Sequence, residues 1–156
     1  MNIAPLITDR LQFKCNGVQF DLELRTNLTL IDSNSGTGKT MTFNAIKESN
    51  ISLNEQHKIK YISIKDVKSN SLEQIREDII NTKGKLIIID GSDIILDNVT
   101  RQHIAFDVEN QYIILGYLVE NLMLTHHNEW GIKYNKDERK IMLDSIWEDE
   151  NVISLQ

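Results

Sequence analysis

The segment between residues 28 and 48 constrains the fold of this chain more than any other. An apolar run at residues 28–32 is followed at once by a loop that contains Gly36 and Gly38, and then by a helical pattern that reaches Glu48. Phe43 and Ile46 lie on the inner side of that helix. A strand that passes through a glycine-containing loop into a helix is typical of βαβ units, in which crossover helices join parallel strands. The segment therefore favours an α/β fold with a mostly parallel central sheet.

A β-hairpin is predicted ahead of this segment, and another at the far end of the chain. Apolar and polar residues alternate on both sides of Asn16-Gly17, the pair that best fits a two-residue type I′ turn. Residues 130–134 and 140–146 resemble two further strands around a polar turn at 135–139.

Strands and helices alternate between the hairpins. Strands are predicted at 59–64, 86–89 and 111–116, and the last two are continuous apolar runs, as in strands buried on both faces of a parallel sheet. Ser71 and Gln74 form a capping box for a helix that we expect to stop at Gly84. Asp97 or Asn98 caps a shorter helix to about residue 108. We predict a single domain over residues 1–156, with loose ends at 1–10 and 148–156.

Composition narrows the functions that this domain can have. The 156 residues are 40% hydrophobic and 26% charged, which is ordinary for a globular domain, and the net charge of −6 does not support nucleic-acid binding. The single cysteine, Cys15, excludes an intramolecular disulfide and a multi-cysteine zinc site. Residues 1–10 lack the pattern of a secretory signal, and no apolar stretch is long enough to span a membrane. We therefore expect a cytoplasmic protein with no membrane partner.

The loop after residue 32 matches the Walker A pattern G-x-x-x-x-G-K-[ST] at Gly38, Lys39 and Thr40, with Ser33 in place of the first glycine. Backbone N–H groups of such a loop, with the N-terminus of the following helix, surround a β-phosphate. The Lys39 ammonium bridges β- and γ-phosphate oxygens, and the Thr40 hydroxyl ligates Mg²⁺. The residues predicted to bind a nucleoside triphosphate are Asn34, Ser35, Gly36, Thr37, Gly38, Lys39 and Thr40.

Asp90 directly follows the apolar run at 86–89, as in the Walker B pattern, in which a carboxylate at the end of a buried strand holds Mg²⁺. An aspartate at an ordinary strand exit is the alternative interpretation. We predict Thr40 and Asp90 as metal ligands, and Lys39, Asp90 and Asp93 as catalytic residues, with Asp93 orienting the attacking water. For Asp93 the alternative is a loop carboxylate that caps or solvates a turn.

With both motifs placed, the chain resembles the P-loop NTPases of the additional-strand division, which includes ABC-type and AAA-type ATPases. The resemblance implies a three-layer α/β/α fold that binds ATP and Mg²⁺. It also implies that the strand at 59–64 lies between the two motifs in sequence, and that the strand at 111–116 inserts between the two motif strands in the sheet. The hairpin at Asn16-Gly17 is similar to the antiparallel β layer of ABC-type and SMC-like ATPases.

The chain departs from that family at Gly91, where family ATPases usually carry the glutamate that polarises water, and it lacks the Leu-Ser-Gly-Gly-Gln signature of ABC proteins. We therefore expect ATP binding with weak Mg²⁺-dependent ATPase activity, which is slow or needs a homodimer or protein partner to complete the site. The alternative is a nucleotide-dependent interaction module or switch without turnover. A small-molecule kinase and a GTP-binding protein are further alternatives. Residues 135–138 resemble a guanine-binding motif, but Glu138 replaces its aspartate, and a hairpin turn explains them better.

Overall fold

The computed structural model describes residues 6–32, 38–63, 71–91, 96–116, 122 and 124–146. Within these residues the strands are β1 (Arg10–Cys15), β2 (Val18–Glu23), β3 (Leu28–Ile31), β4 (Ile59–Ile62), β5 (Leu86–Asp90), β6 (Gln111–Leu115), β7 (Glu129–Asn135) and β8 (Lys140–Ser145). The helices are α1 (Lys39–Glu48), α2 (Ser52–Glu55), α3 (Leu72–Asn81) and α4 (Asn98–Phe106). The fold is mixed α/β, as predicted. None of these helices is long and apolar enough to cross a membrane.

All eight strands form one sheet, in the order β1-β2-β8-β7-β3-β6-β5-β4. The two hairpins, β1–β2 and β7–β8, are antiparallel, and every other neighbouring pair is parallel. β6 pairs with β3 on one side and with β5 on the other. The predicted insertion of this strand between the two motif strands is therefore confirmed.

Alternate residues of the central strands belong to two separate hydrophobic clusters. In β5, Leu86 and Ile88 pack in the cluster that includes α1, whereas Ile87 and Ile89 pack in the cluster that includes α3 and α4. Because side chains alternate along a strand, these clusters lie on opposite faces of the sheet. The buried helical members are Phe43, Ala45 and Ile46 in α1, Ile75 and Ile79 in α3, and Ile104 in α4. Helices therefore pack against both faces.

The N-terminal hairpin has the predicted turn, because Asn16 and Gly17 both have positive φ, at 52° and 80°. The hairpin does not form a separate layer, because β1 and β2 belong to the same sheet as the other strands. β2 runs parallel to β8, with Phe20 opposite Ile141, so that the C-terminal hairpin lies between the N-terminal hairpin and β3.

Two sequence predictions are wrong in detail, and the first concerns the end of α3. The helix ends at Asn81 rather than at Gly84, because Thr82 adopts an extended conformation and its hydroxyl donates to the carbonyl of Asp78 at 2.7 Å. The Thr82 carbonyl in turn accepts a hydrogen bond from the side chain of Asn110 at 2.7 Å. Gly84 lies in the loop that follows, with φ of 70°.

The second correction concerns the predicted loose end at residues 1–10. The N–H groups of Ile7 and Thr8 donate to Oε1 of Gln111 at 2.9 and 3.0 Å, and Nε2 of Gln111 donates to the carbonyl of Thr8 at 2.9 Å. A buried glutamine side chain at the start of β6 thus fixes the chain just ahead of β1. Residues 1–5 and the predicted loose end at 148–156 lie outside the described residues, as does Ile64.

Candidate functional site

The motif residues Gly38, Lys39 and Thr40 lie where β3 leads into α1. Gly38 is the residue before the helix and has φ of 93°, a left-handed conformation that residues with a side chain rarely adopt. Lys39 and Thr40 are the first two helical residues, and the first turn of α1 contains no acidic residue. The positive end of the helix dipole therefore lies beside these side chains without a carboxylate from its own first turn. Ser33, Asn34, Ser35, Gly36 and Thr37 lie outside the described residues.

The side chains of Thr40 and Asp90 meet at the carboxyl-terminal edge of the parallel strands. Oγ1 of Thr40 donates a hydrogen bond to Oδ2 of Asp90 at 3.2 Å. Asp90 is the last residue of β5 and lies opposite Leu115 of the intervening strand β6. Helix α1 packs on one face of the sheet, over both β5 and β6. Its first turn therefore reaches past β6 to the end of β5. The structure thus brings together the two predicted metal ligands.

Lys39 and Asp90 form the charged part of the site. Only 8% of the Lys39 surface is exposed, which is unusual for a lysine. Burial raises the pKa of Asp90 above its ordinary value, and the hydrogen bond from Thr40 and the positive charge of Lys39 offset part of this rise. A cation that binds Asp90 would relieve this destabilisation of the charged carboxylate.

A divalent cation bound at this position would have two protein ligands among the described residues, the Thr40 hydroxyl and the Asp90 carboxylate. The described part of the chain contains no group of three or more His, Cys, Asp or Glu side chains that could hold a metal ion. Mg²⁺ fits a site of this kind, because it prefers oxygen ligands, keeps several waters and is commonly held by one or two protein groups together with substrate phosphates.

The position after Asp90 carries no side chain, and its backbone favours this. Gly91 has φ of 90°, and its N–H donates to the carbonyl of Leu115 at 3.0 Å. A glutamate at this position would have to adopt a left-handed conformation that costs a residue with a Cβ about 1–2 kcal/mol. Asp93, the other predicted catalytic residue, lies outside the described residues.

Sequence reasoning missed the contribution of β7, which flanks the motif on the side opposite β6. The N–H of Asp32 donates to the carbonyl of Trp130 at 2.8 Å. A methyl group placed on Gly38 would lie 3.5 Å from Cδ1 of Ile132. These contacts join residues that are far apart in the chain, and no local pattern in the sequence could have indicated them.

The polar segment at residues 135–138 forms the predicted hairpin turn between β7 and β8. Oδ1 of Asn135 accepts hydrogen bonds from the N–H groups of Asp137 and Glu138, at 3.0 and 3.2 Å. This is the local side-chain-to-backbone bonding for which asparagine is favoured in turns.

Comparison of the chain with protein-family models, with curated proteins and with solved structures finds no match in any of the three. Its function is therefore inferred from the residues of the chain itself.

Proposed function

We propose that this chain is a P-loop nucleotide-binding protein that binds ATP together with Mg²⁺ and hydrolyses it slowly. The observation that carries the proposal is the 3.2 Å hydrogen bond between Thr40 and Asp90. Each residue was selected from the sequence for a separate motif, and 50 positions separate them in the chain. A Walker A hydroxyl and a Walker B carboxylate must converge in this way to hold one Mg²⁺ ion.

Each residue of the proposed site has a chemical role. The backbone N–H groups of Asn34, Ser35, Gly36, Thr37 and Gly38, with those at the start of α1, would surround the β-phosphate. Lys39 would neutralise the β- and γ-phosphate oxygens as charge develops in the transition state. Thr40 and Asp90 would hold Mg²⁺, which bridges the same phosphates. Asp93 would orient the attacking water.

The arrangement of the sheet supports the same proposal. A strand inserted between the two motif strands is the feature that defines the additional-strand division, and β6 occupies that position. Helices pack on both faces of the sheet, with α1 on one face and α3 and α4 on the other. We propose that the fold is the three-layer α/β/α fold of this division, with the nucleotide bound at the carboxyl ends of the strands, where ligands of α/β sheets usually bind.

A second candidate function is a nucleotide-dependent switch that binds ATP without turnover. Gly91 favours it, because the position that carries the water-polarising glutamate in family ATPases has a left-handed backbone and no side chain. Hydrolysis would then depend on Asp93, or on a group from a second subunit or a protein partner. Without such a group, the site would bind Mg²⁺ and ATP and retain the γ-phosphate.

Thermal unfolding with and without Mg²⁺ and ATP tests binding. Ligand at a hundred times its Kd adds about 2.7 kcal/mol, which raises the Tm of a domain of this size by roughly 5–11 °C. Lys39→Ala should abolish the shift, whereas Lys58→Ala, an exposed lysine at the opposite end of the parallel strands, should retain it. GTP in place of ATP tests base preference. An unchanged Tm of the unsubstituted protein at millimolar ATP would overturn the proposal.

Phosphate release separates the two candidate functions. An ATPase releases phosphate at a rate that falls to background in Asp90→Asn, whereas a switch shows the same Tm shift with no release above background. A protein that binds ATP and releases no phosphate, alone or at concentrations that favour self-association, would establish the switch and contradict the ATPase.

A further inference from the structure

The two residues that flank segment 33–37 both lie against β7, at Trp130 and at Ile132 respectively. On one side, the N–H of Asp32 is bonded to the carbonyl of Trp130 at 2.8 Å, in continuation of the parallel pairing between β3 and β7. On the other side, a Cβ atom added to Gly38 would have two atoms of the described residues within 4 Å, and both belong to Ile132, namely Cδ1 at 3.5 Å and Cγ2 at 3.8 Å. β7 thus contacts the chain where it leaves the sheet and where it enters α1.

The contact with Ile132 matters because Gly38 is the most permissive residue at this junction. Glycine occupies positive and negative φ almost equally well, so its own preferences do not hold it at 93°. The conformation of Gly38 determines the direction in which the backbone enters α1, and therefore the direction of the first N–H groups of the helix and of Lys39. A side chain packed against Gly38 restricts the alternatives before any ligand binds, and such preorganisation improves affinity.

We propose that Ile132 is a positioning residue for nucleotide binding, which holds Gly38 in the left-handed conformation that directs Lys39 and the start of α1 toward the phosphates. This inference rests on the proposed function, since it concerns the same phosphate site. The C-terminal hairpin β7–β8 would then contribute to nucleotide affinity, although it belongs to neither the Walker A nor the Walker B motif.

The chain offers a matched control in Leu143 of β8. Leu143 lies directly opposite Ile132 in the β7–β8 ladder, so both side chains point to the same face of the sheet. Both are half-buried and pack against the same hydrophobic cluster. Ile132→Ala and Leu143→Ala should therefore lower the Tm of the nucleotide-free protein by similar amounts. Of these two side chains, however, only Ile132 has atoms within 4 Å of the position that a Cβ on Gly38 would occupy.

The first test compares the Kd for Mg²⁺ and ATP in these variants, measured by titration calorimetry. We expect Ile132→Ala to raise Kd about three- to tenfold relative to Leu143→Ala, because holding one backbone residue in one conformation is worth about a tenfold change in Kd. Ile132→Val removes only Cδ1, the atom nearest to Gly38, and should give a smaller increase in Kd. If the alanine variants fail to fold, Ile132→Val is compared with Leu143→Val instead.

The second test uses the reciprocity of coupled equilibria. If Ile132 favours binding by holding Gly38, then bound nucleotide must favour the packing of β7 by the same factor. Hydrogen exchange of the β7 amides should therefore slow when Mg²⁺ and ATP bind, and the edge strand β1, which is three strands away from β7, provides the control amides. If the role of Ile132 is purely structural, nucleotide should slow exchange in β7 no more than it does in β1.

The outcomes separate this inference from the function on which it rests. Absence of binding in the unsubstituted protein overturns both. Normal binding that Lys39→Ala abolishes, but with equal Kd in the Ile132 and Leu143 variants, overturns the role of Ile132 and leaves the proposed function standing. A higher Kd in Ile132→Ala alone, together with slower exchange in β7, supports the role of Ile132.

Discussion

The hydroxyl of Tyr112 donates a 2.6 Å hydrogen bond to the carboxylate of Asp107, and both side chains are buried. The same carboxylate accepts hydrogen bonds from the side chain of Asn110 and from the N–H of Glu109, each at 2.8 Å. His103 lies 3.5 Å away on the preceding turn of α4. This cluster joins the end of α4 to the start of β6, at the edge of the sheet opposite the proposed nucleotide site.

We predict that Asp107 makes the stability of the protein sensitive to acid. Burial by itself would raise the pKa of Asp107, but the hydrogen bonds from Tyr112, Asn110 and Glu109 and the charge of His103 lower it below its ordinary value. A carboxyl pKa that is lower in the folded state contributes stability above about pH 4, and this stability is lost as the pH falls through the folded pKa.

Asp107→Asn tests this prediction by urea unfolding at pH 7 and at pH 3. The variant should lose about 1–3 kcal/mol at pH 7, because an amide replaces the charged acceptor and leaves buried donors poorly satisfied. It should lose less at pH 3. Tyr112→Phe, which keeps the carboxylate but removes the hydrogen bond that lowers the pKa of Asp107 most, should retain a weaker pH dependence. An equal loss for Asp107→Asn at both pH values would contradict the prediction.

Two threonines that lie two residues apart in α1 provide a direct test of the proposed metal site. Thr40 donates to Asp90, whereas the hydroxyl of the fully buried Thr42 has no hydrogen-bond partner in the described part of the chain. Thr40→Val should weaken the Mg²⁺-dependent part of ATP binding, and chelation of Mg²⁺ by EDTA should remove the difference between this variant and the unsubstituted protein.

Thr42→Val is the control. It should bind Mg²⁺ and ATP normally and should be as stable as the unsubstituted protein or more stable, because it removes an unsatisfied buried hydroxyl. Calorimetric Kd values and Tm measure both effects; equal Kd values in the two variants would argue against Thr40 as a metal ligand.

The pH dependence of metal binding follows from the environment of Asp90. Burial raises the pKa of Asp90, so protons compete with Mg²⁺ at a higher pH than they would at an ordinary carboxylate. Affinity for Mg²⁺ and ATP should therefore fall as the pH is lowered, and the fall should begin at a higher pH than it would with an ordinary carboxylate at this position. Asp90→Asn should show only the dependence that the phosphates of ATP cause by their own protonation. Parallel pH curves for the two proteins would contradict the prediction.

Gly91 should resist conversion into a catalytic position. Gly91→Glu introduces the glutamate that ATPases of the additional-strand division usually carry after the Walker B aspartate. The left-handed backbone at this position should cost the variant about 1–2 kcal/mol of stability. We expect no increase in phosphate release. Gly84→Ala is the matched control, because Gly84 also has positive φ and no atom of the described residues lies within 4 Å of the position that a Cβ would occupy. It should lose similar stability without a change in nucleotide affinity. Phosphate release in Gly91→Glu that rises severalfold would show that the backbone at this position adapts to the side chain.

Features that depend on neighbouring residues were predictable from the sequence. Asn16-Gly17 specified its turn, the Ser71 and Gln74 capping box is formed, and Asp97 rather than Asn98 is the cap of α4. In each case the side chain bonds or constrains the backbone within three residues, so its effect can be inferred from local chemistry. The alternation of strands and helices likewise predicted parallel strands, whereas the order of β3, β6 and β5 was an implication of the family resemblance and not of any local pattern.

Features that depend on distant contacts were not predictable in the same way. The sequence shows that β7 and β8 pair with each other, but it does not show that β7 lies beside β3 or that β8 lies beside β2, because no turn or helix connects those pairs. The contact of Ile132 with Gly38 is a consequence of that placement. In the same way, the bonds of Gln111 to Ile7 and Thr8 form only once the sheet has assembled.

The position of the C-terminal hairpin in the sheet has a consequence for how the protein is made. β1 and β2 are synthesised before the other described strands, but the strand that joins them to the rest of the sheet is β8, the last of the described strands. This parallel partner of β2 is therefore missing until residues 140–145 have been synthesised. A nascent chain that stalls before residue 140 would leave the edge of β2 that pairs with β8 open, and shortening the chain there would remove the backbone pairing that joins the N-terminal hairpin to the rest of the sheet.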